Sequence, residues 1–168
     1  MDNLVAQVMS RLKQREQSIF NLTFNKNIDP SDNQVFIDHG IIIIKNVSIN
    51  LIIDLYTINT SNPWVNWILE GISYDVQFQL LIIKRMVNFI PRTMILDWPI
   101  LFIVDNEFPL IASCNRIISR SEIAASPDNS IIIQTKNQKF TDEAIDVCRV
   151  KNIEIKMRTE ENCIWQKS

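Results

Sequence analysis

From Trp98 to Cys114 the chain reads WPILFIVDNEFPLIASC, and no other stretch limits the fold so tightly. Ile100 to Val104 is an unbroken apolar run, Asp105, Asn106 and Glu107 follow as a polar break, and Pro109 to Ala112 is apolar again. A short run rich in Ile, Val and Phe and closed by turn formers has the pattern of a strand buried on both faces. Two such runs across a short polar break predict a hairpin, which belongs at the middle of a sheet. Its apolar runs hold no side chain able to act as nucleophile or base, so function has to be sought elsewhere in the chain.

With 168 residues the chain has the length of one ordinary domain, able to bury roughly 70% of the surface its unfolded form exposes. Its 17 Lys and Arg are balanced by 19 Asp and Glu, which leaves no basic field for a phosphate backbone and argues against a nucleic-acid partner. Cys114, Cys148 and Cys163 are odd in number and share no CxxC spacing, so they are assigned to packing in a reduced protein. Arg11, Lys13, Arg15 and Glu16 interrupt any signal-peptide core, and apolar runs elsewhere stop short of the roughly 20 residues of a membrane span. The expectation is a soluble cytoplasmic protein without a membrane partner. The two glycines, Gly40 and Gly71, cannot make a GxGxxG or Walker loop, and His39 stands in no zinc or calcium pattern. No cofactor and no metal are therefore expected, and His39 reads as a turn residue.

Residues 1–20 place Leu4, Val5, Val8, Met9 and Leu12 at helical spacing opposite Arg11, Lys13, Gln14 and Arg15, which predicts an amphipathic N-terminal helix. Residues 21–33, with four asparagines, two aspartates and Pro30, read as a polar linker. The helix is then either detached from the body or folded back to cover an apolar face of the sheet. Residues 34–158 form the α/β domain and 159–168 a polar tail. Val35–Ile37 and Ile41–Ile44 around Asp38, His39 and Gly40 suggest a hairpin with Gly40 at positive φ. Asn46 is the candidate cap for Val47–Ile58, which keeps helical spacing despite its β-branched content. Asn62 and Pro63 cap a helix through Glu70, stopped by Gly71, and Ser73–Leu81 alternates as a half-buried strand. Ser119, with Glu122 three residues on, starts a helical turn; Ser130–Thr135 is a strand; Thr141 caps a helix with Asp142 and Glu143 in its first turn; and Ile153–Met157 closes a βαβ unit. The fold class is α/β, a single domain with a mixed sheet flanked by helices and preceded by the N-terminal helix.

Two stretches suggest chemistry. Pro127–Asp128 followed by Gln134, Thr135 and Lys136 superficially matches a metal-dependent nuclease, but one acidic ligand is too few for magnesium and the dipeptide is also an ordinary turn. A cleft at the carboxyl ends of the sheet, lined by Asp105, Asn106 and Glu107, is the alternative for a small-ligand-binding or enzyme-maintenance module.

The segments LVAQVMSRLKQREQ, HGIIIIKNVSINLIIDL, YDVQFQL, IPRTMILDWPILFIVDNEFPLIA and KFTDEAIDVCRVKNIEI, in this order and spacing, resemble the PduM proteins of propanediol-utilisation bacterial microcompartments. They are patterns of apolar residues and turns, with no catalytic signature among them. The resemblance implies a non-enzymatic component needed for assembly of the protein-shelled compartment that encloses coenzyme B12-dependent diol metabolism in the cytoplasm. It implies shell or core (cargo) proteins as partners. An apolar helical stripe laid in a groove is a known recognition mode, so Leu4, Val5, Val8, Met9 and Leu12 are the candidate partner-binding residues.

Overall fold

The computed structural model describes residues 2–158, in two compact units, the first ending at Leu81 and the second beginning at Ile82. The class is the expected one: α/β, with strands of a mixed sheet flanked by helices and a helix at the N-terminus.

The first unit runs α1 (Asp2–Gln17), β1 (Ile19–Thr23), α2 (Val35–Asp38), β2 (Ile41–Lys45), α3 (Ile49–Tyr56), α4 (Pro63–Ser73) and β3 (Gln77–Ile82). β1, β2 and β3 are parallel, with Phe20, Ile42 and Phe78 in register. The helix predicted over 1–20 therefore ends at Gln17, and the start of the predicted linker is strand. Ile19–Thr23 alternates Ile, Phe, Asn, Leu and Thr, and pairing with β2 satisfies one edge of its backbone, which outweighs the local bias of its asparagine. Residues after it are also held. Phe24 is buried with its ring 5.1 Å from Trp64, whose indole Nε1 donates to the carbonyls of Asn25 (3.1 Å) and Ile28 (2.9 Å).

Both glycines do something other than turn or stop. Val35–Asp38 is a helical turn rather than the first arm of a hairpin, and Gly40 does not take a positive φ. A Cβ there would stand 2.7 Å from the Arg15 carbonyl oxygen and 2.8 Å from the Glu16 Cα, so Gly40 lets the end of α1 approach. Gly71 lies inside α4, which continues to Ser73, because a Cβ would meet the Phe78 ring at 2.5 Å and the Phe36 ring at 2.9 Å. Caps follow the usual chemistry. Asn62 accepts from Trp64 N (3.0 Å) with Pro63 first in α4, and Ser48, not Asn46, caps α3 by accepting from Leu51 N at 3.2 Å. Asn46 instead carries the positive φ (56°) ahead of it.

The second unit begins with a 3₁₀ segment (Lys84–Phe89) and α5 (Arg92–Asp97), neither of them clear in the sequence, and reaches the hairpin β4 (Ile100–Val104) and β5 (Phe108–Ala112). Ile103 pairs with Pro109, Asp105 and Asn106 both have positive φ (49° and 64°), and Glu107 N donates to Val104 O at 3.0 Å, the geometry of a type I′ turn. Ile100, Phe102 and Val104 are buried while Leu101 and Ile103 are only half-buried, so the two faces of β4 are unequally covered. Then come β6 (Ile117–Ile118), α6 (Arg120–Ala125), β7 (Ile131–Thr135), β8 (Lys139–Phe140), α7 (Asp142–Val150) and β9 (Glu154–Arg158). β7 is parallel to both β5 and β9, which makes the predicted βαβ unit, and β6 and β8 form a small separate parallel pair. Thr141 accepts from Ala144 N at 3.2 Å and caps α7; Ser119 precedes α6, but its hydroxyl bonds Ser121 and not the backbone.

Cys148 sits in the apolar cluster of Ile118, Ile123, Ile132, Ala144 and Ile153, where burial pushes its thiol pKa up and keeps it protonated. Cys114 is exposed, contrary to its assignment to packing, because it follows β5 where the strand has ended. Cys163 and the predicted tail lie outside the described residues.

Candidate functional helix and cleft

The helix α1 takes the predicted amphipathic pattern but, among the described residues, packs on nothing along most of its length. Asn3 to Gln14 are all exposed. The candidate stripe is bare: Leu4 is 68% exposed, Val5 62%, Val8 50%, Met9 52% and Leu12 47%. The helix neither folds back on the sheet nor swings on a long tether, because its last turn is fixed. Arg15 is the fixing residue. Its Nε donates to the Phe36 carbonyl (2.9 Å) and its Nη2 to the Tyr74 carbonyl (2.5 Å), while its own carbonyl accepts from Gly40 N (2.6 Å). Phe36 lies in α2 and Tyr74 is the C-cap of α4, so the guanidinium bonds carbonyls at helix ends, where a cation is favoured. Ser18 Oγ hydrogen-bonds His39 Nδ1 at 2.6 Å, and the His39 ring lies 5.3 Å from that of Phe20. His39 is therefore part of the anchor, with extended backbone (φ −132°), rather than a turn residue.

Beside the anchored end opens a cleft of about 770 Å³. Val8 and Leu12 of the stripe form one wall with Arg11; Ile37, Asp38 and Tyr74 form the other. Ile37 is 56% and Tyr74 46% exposed, so the apolar surface of the stripe continues onto the body of this unit. The stripe is legible in the sequence, whereas the roles of Arg15, Gly40, Ile37 and Tyr74 are not. Gly40 was the available signal, being one of two glycines in a chain of 168 residues.

The other candidates do not assemble into reaction centres. Asp105, Asn106 and Glu107 are exposed in the hairpin turn, where the Asp105 carboxylate accepts from Lys84 N (3.0 Å) and Asp105 N donates to Ile82 O (2.8 Å). Asp128 pairs with Lys151 at 3.2 Å, and Gln134 donates to the Gln138 carbonyl at 2.9 Å. Among the described residues no 3 side chains of His, Cys, Asp or Glu converge as metal ligands, and no helix is long and apolar enough to cross a membrane.

The anchor has a consequence for truncation. Removing residues 1–20 deletes Arg15, Ser18 and the first two residues of β1, and will lower the melting temperature of the first unit by about 4–8 °C or more, the effect of losing ~1 kcal/mol. Removing residues 1–12 leaves the anchor and will leave the melt of the dilute, monomeric chain unchanged. A calorimetric comparison of the two forms checks this.

These features define a mixed α/β protein whose unusual surface is an exposed, anchored helix. The chain belongs to the family described as "PDU_like: Putative propanediol utilisation", whose sequence profile matches residues 3–154. Among curated proteins it is similar to the "Bacterial microcompartment assembly protein PduM" of Salmonella typhimurium (strain LT2), 21% identical over 155 residues, which are 92% of this chain and 94% of that protein. No solved structure matches the chain.

Proposed function

We propose that the chain is a non-enzymatic assembly component of a propanediol-utilisation microcompartment in the bacterial cytoplasm. In this reading α1 engages a shell or core protein through Leu4, Val5, Val8, Met9 and Leu12. The observation that carries the proposal is the bare stripe on a fixed base. Isolated helices of up to about 15 residues are marginal in water, and helices in proteins owe most of their stability to burial of an apolar face. α1 has that face and none of the described residues of its own unit covers it, so a partner groove supplies the missing burial. The family description and the name of the Salmonella relative support the compartment as the setting.

Co-sedimentation with isolated microcompartments tests the proposal. Val8→Asp with Leu12→Asp removes two side chains worth about 1.5–3 kcal/mol each on full burial, so affinity should fall by at least ~100-fold and the variant should stay in the supernatant. Both positions are exposed in the single chain, so in dilute solution, where the chain is monomeric, its melt should match the parent's. A double variant that pellets as the parent does would show that α1 is not the contact.

A further inference from the structure

We propose that in the isolated protein the bare face of α1 is covered by the α1 of a second copy. The two helices run antiparallel, each N-terminal half lying along the cleft of the other copy.

The cleft specifies its occupant in three ways. Val8 and Leu12 belong both to the stripe and to the cleft wall, so whatever fills the cleft also covers this part of the stripe. The opposite wall is Ile37 and Tyr74, so the occupant is apolar on the side it presents. The charged lining is Arg11, Arg15 and Asp38. Arg11 makes no hydrogen bond or ion pair among the described residues, and Arg15 donates to two carbonyls, which leaves its charge without a carboxylate. The cleft is therefore net positive and accepts an elongated apolar element that brings no further base.

The N-terminal half of α1 meets that description. Residues 3–10 hold Leu4, Val5, Val8 and Met9 and no charged residue, whereas residues 11–17 hold Arg11, Lys13 and Arg15 against Glu16. The halves thus carry 0 and +2. An antiparallel pair sets an uncharged apolar half beside +2 at both ends; a parallel pair sets +2 beside +2, and at these separations like charges repel. The anchor favours the same direction, because each helix is held only at its C-terminal turn and the free end is the one that reaches the other copy. A two-fold arrangement covers both stripes at once and leaves none exposed, so it closes as a dimer instead of growing into a filament. This pairing stands apart from the compartment reading, since it is measured on the chain alone.

Sedimentation velocity of the full chain from about 1 to 100 µM tests it, with a dimer expected at the upper end and at least a 10-fold weaker dimer for Val8→Asp. Direction is read by disulfide trapping in chains whose Cys114 and Cys163 are replaced by serine, with the buried Cys148 kept. Leu4→Cys chains mixed with Leu12→Cys chains and oxidised should give mainly the mixed species joining positions 4 and 12. A parent chain that is monomeric at 100 µM, a Val8→Asp dimer as tight as the parent's, or a predominance of disulfides between two Leu4→Cys chains would each overturn the proposal. So would absence of the mixed disulfide.

Discussion

Valine in place of Gly71 will destabilise the first unit by about 3 kcal/mol, the upper part of the range for overpacking a closed core. A Cβ at this position comes within 2.5 Å of Phe78 Cζ, 2.8 Å of Phe78 Cε2 and 2.9 Å of Phe36 Cε1. Neither ring has room to retreat. Both are fully buried, Phe36 packs 4.9 Å from Trp67 and 5.7 Å from Tyr74, and Phe78 packs edge-on against Trp67 at 5.8 Å. Alanine will be milder. It gains about 1 kcal/mol of helix propensity over glycine, which offsets part of the clash. Valine gains less because its χ1 is restricted in a helix, and it adds two methyl groups to the collision. A loss of ~3 kcal/mol in a unit of this size lowers the melting temperature by at least ~10 °C, measured by calorimetry. Partial recovery in Gly71→Ala with Phe78→Leu would locate the strain in the ring contact; a valine variant that melts like the parent would mean that α4 and β3 are packed less closely than these distances require.

Phe36 and Tyr74 connect this core to the anchor, because Arg15 bonds their carbonyls while their rings pack together. Damage at Gly71 will therefore also loosen the base of α1. That link was not legible in the sequence. What was legible is chemistry contained in a few neighbouring residues. The break Asp105–Glu107 between two apolar runs gave the hairpin, since Asp and Asn tolerate the positive φ of a type I′ turn. Asn62–Pro63 and Thr141 gave two helix starts because capping is a local bond. Misreadings arose where the cause lies far along the chain. Ile19–Thr23 is a strand because β2, some twenty residues on, pairs with it, and a lone amphipathic pattern running into it looks like more helix. Glycine has two uses, positive φ and close approach, and the sequence does not say which. Gly40 and Gly71 both serve close approach, against Arg15 and against the Phe36 and Phe78 rings. The stripe itself was visible from spacing alone; the fact that it stays bare required the structure.

Gly40→Val will separate the two things that α1 needs, its apolar face and its fixed base. Unlike Gly71, Gly40 faces backbone: the Arg15 carbonyl oxygen at 2.7 Å, Glu16 Cα at 2.8 Å and the Arg15 carbonyl carbon at 3.2 Å from a built Cβ. Backbone has no rotamer to change, so the end of α1 must move away. The movement breaks the Gly40 N to Arg15 O bond (2.6 Å), strains Ile41 N to Ser18 O (3.2 Å) and draws the Arg15 guanidinium off the carbonyls of Phe36 and Tyr74. At about 0.5–1.5 kcal/mol for an ordinary hydrogen bond and somewhat more for a charged donor, the unit should lose about 2 kcal/mol. Amide exchange across Leu4 to Leu12 should quicken, because a helix cut from its base is short enough to fray. Val8 and Leu12 remain chemically intact in this variant, unlike in Val8→Asp with Leu12→Asp. Its co-sedimentation with microcompartments thus asks whether a stripe must be aimed as well as present. If Gly40→Val pellets less than the parent while a Gly40→Ala variant falls between, the base orders and directs the helix for its partner, and affinity depends on preorganisation. If it pellets fully despite rapid exchange, α1 acts as a free amphipathic peptide that folds on contact, and Arg15 and Gly40 serve only the stability of their own unit.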